Sequence, residues 1–506
     1  MKRPNVLFIM SDQEQHWSIL PPGLTRPGLG WLLTNGTAFT NHHVVTLPCG
    51  PSRSTIYTGQ HTQHTKVYGN PSRARGISMS PEVATVGRML RDQGYHTAYK
   101  GKWHVSVIDP PTPFAASTVH ALEEFGFSEF NSGGDPVGVA WEGFRQDPAV
   151  ASEAANWLLG GSGGKPADRP WFLAVNFVNP HDIMYFDATG RMNEPPATAP
   201  TPRQPAPRSA IYQRTWDVDL PASFDDDLAR KPAIQADLSA AVAAGLGEIP
   251  HDDVDAWRRY RDYYYNCLRD LDQHVKTVLD AFVEAGHDRD TLVVYSTDHG
   301  EAAGAHGLRE KPTSVYREVV NVPLVICHPD VDGGSTAEAL SSTVDLVPTI
   351  LSFAGVAEGE RTDRYQQLTG HDLSPVVAGD AARTGRDDTG VLFNMSRPTP
   401  ALGGRDTGFA GSAQRRNLRG VFDGRWKYAR YFGADDPLRA DGWDALRTGS
   451  DLELYDTASD PDEVRNLAHD ENHRDELLRL EKQVAALVDA EVGDDHLPGT
   501  TPSPRV

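Results

Sequence analysis

Four short apolar runs in this 506-residue chain each break off into a cluster of charged or amide side chains. That repeated pattern constrains the fold more than any other feature. Asn5-Val-Leu-Phe-Ile-Met10 ends in Ser11-Asp12-Gln13, and His96-Thr-Ala-Tyr-Lys100 leads to Gly101-Lys102-Trp103-His104. Trp171 to Val178 ends in Asn179-Pro180-His181-Asp182, and Thr291 to Ser296 ends in Thr297-Asp298-His299-Gly300-Glu301. Uninterrupted apolar runs of this length read as strands buried on both faces, and Val322 to Cys327 reads as a further one. Helical spacing lies between them. Val83 to Gln93 carries Val83, Val86, Met89 and Leu90 on one face and stops at Gly94. Asp253 to Gly286 carries a stripe from Tyr260 and Tyr264 through Leu271 to Phe282. Helices alternating with strands predict an α/β fold with a mostly parallel sheet. In such a sheet the carboxyl ends of the strands share one edge, so the polar clusters are expected to meet there. A single Asp or His at a strand end is ordinarily a turn cap; their coincidence is what argues for a site.

A second feature is Leu47-Pro48-Cys49-Gly50-Pro51-Ser52-Arg53-Ser54-Thr55-Ile56-Tyr57-Thr58-Gly59. Two prolines predict a turn, and Ser52 is the expected N-cap of a helix that follows. Cys49 then sits near a helix N-terminus beside Arg53, where an anion is favoured. By itself such a cysteine reads as a buried thiol. His306, near Asp298 in sequence, reads equally as facing the pocket or as a loop histidine, His42 and His43 flank the cysteine loop in the same way, and Tyr263 to Tyr265 read as helix packing.

A net charge of −21 argues against non-specific binding to nucleic acid or anionic membrane. A locally positive site for an anionic substrate is still compatible with it. No apolar run reaches membrane-spanning length. The three cysteines, Cys49, Cys267 and Cys327, are too few and too scattered for a disulfide framework. Together with a first strand that begins at Asn5, without a secretory leader, they lead us to expect a cytoplasmic protein.

Residues 187–225, rich in Pro, Ala, Thr and Arg, read as an excursion, either lid or exposed loop. The polar stretch 356–390 marks a boundary, giving expected domains 1–375 and 376–506. In the second, Gly420 to Tyr431 reads as a hairpin turning at Asp423-Gly424, and Arg474 to Asp489 as a helix. This predicts a small α+β domain, with Pro498 to Val506 as a frayed end.

Cys49-Gly-Pro-Ser-Arg53 with Thr58-Gly59 resembles the sulfatase signature. Asn5 to Asp12, Gly101-Lys-Trp-His104, Pro180-His181, Thr297-Asp-His-Gly300 and Glu310-Lys311 follow in the order that family uses. Trp426-Lys427-Tyr428 and Glu453-Leu-Tyr-Asp456 extend the likeness over nearly the whole chain. The resemblance implies an alkaline-phosphatase-like α/β architecture, a large mixed sheet sandwiched by helices with a smaller C-terminal domain. It implies an enzyme that hydrolyses a sulfate monoester to alcohol or phenol plus sulfate, with Cys49 oxidised to Cα-formylglycine by a maturation enzyme. Asp12, Gln13, Cys49, Asp298 and His299 would hold one divalent ion, calcium first and manganese as the alternative. Arg53 would orient the modified residue, and Lys102, His104, His181 and Lys311 would surround the sulfate. A homo-oligomer is left open.

Two positions depart from the commoner pattern. Gln13 replaces a carboxylate, and His299 offers nitrogen, which suits transition ions better than an all-oxygen calcium shell. Both, with Gly50, resemble choline-sulfatase-like and phosphonate monoester hydrolase branches. The alternative activity is therefore hydrolysis of phosphonate monoesters or phosphodiesters at the same site.

Overall fold

The structure is a computed structural model that describes residues 3–108, 118–131, 133–161, 165–191, 203–396, 415–440 and 442–497. Its centre is a seven-stranded sheet. The strands are β1 (Asn5–Asp12), β2 (Thr37–Phe39), β3 (His96–Gly101), β4 (Trp171–Pro180), β5 (Thr291–Thr297), β6 (Leu324–Cys327) and β7 (Ser335–Ala337). Their order is β3-β4-β1-β5-β6-β2-β7. The four expected strands β3, β4, β1 and β5 are mutually parallel neighbours, whereas β6 runs antiparallel to β5 and to β2. The sheet is thus mixed and mostly parallel. Strand β6 starts at Leu324, two residues later than its apolar run, because Pro323 has no N–H to give the ladder.

Burial on both faces explains why the strands lack polar alternation. Leu7 and Ile9 join Leu173, Val175, Val293 and Tyr295 on one face, packed by the helices Glu142–Leu158 and Val254–Glu284. Val6, Phe8 and Met10 join Phe172, Ala174, Leu292 and Val294 on the other, packed by Cys49–Thr58, Val86–Asp92 and Leu346–Phe353. Each such aliphatic side chain contributes about 1.5–3 kcal/mol by leaving water. The 31-residue helix Val254–Glu284 starts where Asp253 accepts the N–H of Ala256. The triplet Tyr263 to Tyr265 packs in its buried face.

The helix Val86–Asp92 is shorter than its apolar spacing, since Thr85 caps it through the N–H of Arg88. Part of the 187–225 excursion is core, not loop: Tyr212 and Trp216 are buried against the long helix. Residues 192–202 of that excursion, residues 397–414, and 498–506 lie outside the described residues.

The C-terminal part forms a four-stranded antiparallel sheet of β8 (Val391–Met395), β9 (Asn417–Phe422), β10 (Trp426–Phe432) and β11 (Asp451–Asp456), in that order. One face buries Val421, Tyr428 and Leu454 against Leu477, Leu480 and Val484 of the helix Arg474–Leu487. The other face buries Phe393, Leu418 and Tyr431 against Val44 and Leu47 ahead of Cys49 and Val319 of the short helix Arg317–Val320. The C-terminal sheet thereby braces the segment that leads into Cys49. The expected boundary at 375/376 falls inside the short helix Ser374–Val377, whose valines share a core with Leu346 and Ile350. Among the described residues no helix is long and apolar enough to cross a membrane.

Candidate active site

Parallel neighbours bring Asp12, Lys102, His181, Asp298 and His299 to one sheet edge, as the strand-end clusters predict. Asp12 is the last residue of β1, and Lys102, His181 and Asp298 directly follow β3, β4 and β5. The helix carrying Cys49 enters from the side. It starts at Cys49 itself after the N-cap Pro48, four residues earlier than the expected cap at Ser52. Ser52 lies inside the first turn, where its hydroxyl donates to the Asp298 carbonyl at 2.5 Å. Pro51, fixed near helical φ, is tolerated in that turn because its missing N–H has no intrahelical acceptor there.

Arg53, one turn along, is completely buried and ties the strand ends together. Its Nε lies 2.7 Å from Asp298 Oδ2 and its Nη2 3.1 Å from Asp12 Oδ2, while Nη1 donates to the Lys102 carbonyl at 2.8 Å. Lys102 Nζ adds a second cation 2.7 Å from Asp12 Oδ2. The other oxygens face a common point: Asp12, Cys49, Asp298 and His299 each offer a ligand atom within 4.8 Å of the rest, all buried. Cys49 Sγ is 3.0 Å from His299 Nε2 and 3.8 Å from Asp12 Oδ1. Two carboxylates, one imidazole nitrogen and one sulfur in an enclosed space fit a divalent cation.

Residues 4–356 match the Sulfatase family model. The chain belongs to the sulfatase family. It is an enzyme, a sulfuric ester hydrolase of the alkaline phosphatase superfamily. It is 25% identical over 503 residues to a choline-sulfatase of Rhizobium meliloti, covering 92% of this chain and 82% of that one. The fold is similar to that of a 2-O GAG sulfatase (TM-score 0.72, 21% identity, 99% and 97% of the two chains covered). It is also similar to a phosphonate monoester hydrolase of Silicibacter pomeroyi (TM-score 0.67, 22% identity, 96% of each chain).

The remaining residues of this sulfatase's site line the same edge. Gln13 sits in left-handed backbone conformation at φ 73°. Its N–H donates to Asp298 Oδ1 at 3.2 Å, its amide oxygen accepts from Lys311 Nζ at 2.6 Å, and its amide nitrogen donates to Glu301. His104 and His181 are buried, each with an unpartnered Nδ1. Gly101 lets β3 close on β4: at φ 89° it leaves no room for a Cβ, which would meet the Asn176 carbonyl oxygen at 1.8 Å.

Electrostatics follow from this enclosure. Burial opposes ionisation of Asp12, but Lys102, His181 and Arg53 outweigh it and hold its carboxyl well below the usual range. Burial, then the charge of Lys102, holds both His104 and His181 well below the ordinary histidine value. Burial also opposes the charge on His299, yet Asp298 and then Cys49 raise it to about 9.

His306 is held elsewhere, bonded to Asp226 at 2.9 Å and stacked on Tyr316. His42 bonds Ser341, and His43 packs on Phe422. Two carboxylates were missed by the sequence reading. Glu301 lies three residues past Asp298 and holds the Gln13 amide. Its place in the Asp298-His-Gly-Glu301 run was the available signal. Asp135 accepts the N–H groups of Trp103 and His104, and nothing in its local sequence sets it apart from a loop aspartate.

Proposed function

We propose that this sulfatase hydrolyses a small sulfate monoester to an alcohol or phenol plus sulfate, using Cys49 as Cα-formylglycine. The observation that carries this reading is the set of four buried donors within 4.8 Å that includes Cys49, ringed by Lys102, His104, His181 and Lys311. A divalent ion held by Asp12, Asp298, His299 and the modified residue 49, joined by the Gln13 amide oxygen in place of its bond to Lys311, would supply Lewis acidity toward the sulfate oxygens and the attacking hydroxyl. Oxidised and hydrated, residue 49 offers two hydroxyls, one to bond sulfur and one whose deprotonation expels sulfate, which a thiol does not.

The side chains of this chain supply the rest. Arg53 holds Asp12 and Asp298 in place. Asp298 accepts the proton of the attacking hydroxyl, and Lys102 offsets charge on the sulfate. Charged Lys311 protonates the leaving oxygen or, with neutral His181, polarises it. Neutral His104 takes the proton from the second hydroxyl. Cys49 is 0% exposed, so a maturation enzyme would have to reach it before folding is complete. The three free, buried cysteines support a reducing compartment. Calcium is the first choice of ion, and manganese is supported by the His299 nitrogen.

Gln13, His299 and the likeness to a phosphonate monoester hydrolase fold support a second reading, hydrolysis of phosphonate monoesters. Lys102 and His104 favour sulfate. Kinetics on an aryl sulfate, a phosphate diester and a phosphonate monoester decide between them. We expect the highest kcat/KM on sulfate, and higher efficiency on either phosphorus ester would overturn the primary reading. Peptide mass spectrometry over Cys49, on protein co-expressed with a maturation system, is expected to show the aldehyde. A plain thiol there would count against catalysis.

A further inference from the structure

Residues 134–142 cross the site between its two histidines, and the mechanism above assigns them nothing. At one end, Asp135 accepts the backbone N–H of Trp103 at 2.8 Å and of His104 at 2.9 Å. His104 has φ 53°, a left-handed conformation that costs a β-carbon residue energy unless its surroundings impose it. Two successive N–H groups converging on one half-buried carboxylate supply that imposition. At the other end, Gly138 lies so close to the His181 ring that a Cβ would stand 2.3 Å from its Cε1. Gly138 is fixed from both sides: Glu142 accepts its N–H at 2.6 Å, and Tyr185 donates to its carbonyl at 3.0 Å. The helix beginning at Glu142 is anchored in turn on Asp182, next to His181, which accepts the N–H groups of Gly143 and Phe144 at 3.1 Å each.

We propose that this segment is a strap that positions both active-site histidines, Asp135 setting His104 and Gly138 setting His181. The proposal rests on the histidine roles given above. It separates kinetically because the two histidines serve different steps. His104 acts after the alcohol has left, whereas His181 is one of the two groups, with Lys311, placed on the leaving oxygen.

The test is steady-state kinetics on 4-nitrophenyl sulfate and hexyl sulfate, with Tm as a control. Asp135→Ala is expected to lower kcat by about 100-fold on both esters alike, with KM changed less than about 3-fold, the size of loss a misplaced catalytic group produces. Asp135→Asn, which keeps one carbonyl acceptor, is expected to recover part of that loss. Gly138→Ala is expected to harm hexyl sulfate more than 4-nitrophenyl sulfate, since nitrophenolate leaves without a proton. Turnover by Asp135→Ala within about 3-fold of the parent overturns the proposal. So does a loss that follows Tm and is not relieved by Asn, or a Gly138→Ala effect equal for both esters. Should the parent enzyme, shown by mass spectrometry to carry the aldehyde at residue 49, hydrolyse no sulfate at all, the sulfatase reading itself has failed. A crystal structure of Asp135→Ala then still tests the strap: His104 is expected to leave its left-handed conformation, and its retention overturns the assignment.

Discussion

Arg53 Nε stands 2.7 Å from Asp298 Oδ2, in a pair with no solvent exposure on either side. The same guanidinium reaches Asp12, so one helix residue fixes two carboxylates that belong to adjacent strands. Removing it leaves two buried negative charges offset only by Lys102, which pairs with Asp12, and by His299, 3.7 Å from Asp298 and 4.0 Å from Asp12. Arg53→Ala is expected to cost about 3–5 kcal/mol of stability, the range for breaking a buried pair. Urea unfolding of both proteins checks this. A loss under about 1 kcal/mol would place the pair's role in orientation alone.

Cys49→Ala removes the nucleophile precursor without opening a large void. Turnover is expected to vanish while Tm stays within a few degrees. A variant with substantial residual rate would refute formylglycine chemistry at this position.

Metal dependence should be visible without substrate. An ion that binds only the folded state adds about 2.7 kcal/mol at a free concentration 100 times its Kd. Titrating calcium or manganese into chelator-treated protein is expected to raise Tm. His299→Ala is expected to abolish most of that rise, because it removes one of four clustered donors. An undiminished rise in the variant would move the ion elsewhere.

A second buried cluster, remote from the strand ends, gives a pH prediction. Arg386 bonds Asp345 at 2.5 Å and Glu491 at 3.0 Å, and His61 Nε2 lies 3.2 Å from Glu491. Burial raises the Glu491 pKa, but Arg386 and then His61 outweigh it and bring it down to about 2 from 4.5. A depressed carboxyl pKa contributes stability that is complete above the unfolded value near 4.5 and is lost as pH falls toward 2. That shift corresponds to on the order of 3 kcal/mol. Urea midpoints of the parent and Glu491→Gln should therefore differ at pH 6 and converge as pH drops below 4. Parallel curves down to pH 3 would remove Glu491 from the acid response.

How far a residue could be read from sequence depended on how its signal is carried. Asp12, Lys102, His181, Asp298 and His299 were readable because each follows a strand, and parallel pairing sends strand ends to one edge. Cys49 and Arg53 were readable as a motif, although the helix cap lies four residues before the expected Ser52. Ser52 is a good cap by type, yet its hydroxyl is spent on the Asp298 carbonyl, a partner 246 residues away. Asp135 and Gly138 carry no local signal. What they do depends on backbone groups about thirty residues before Asp135 and an imidazole forty-three residues after Gly138.

The sequence by itself determined the layered α/β plan and the list of chemically able side chains, because apolar periodicity and strand-end chemistry are local properties of the chain. Only the tertiary structure decided their partners. It placed Arg53 between Asp12 and Asp298, turned Gln13 onto Lys311 and Glu301, and laid the 134–142 strap against both histidines. Each of these is a contact between segments far apart in sequence, set by how the sheet, the flanking helices and the C-terminal sheet pack.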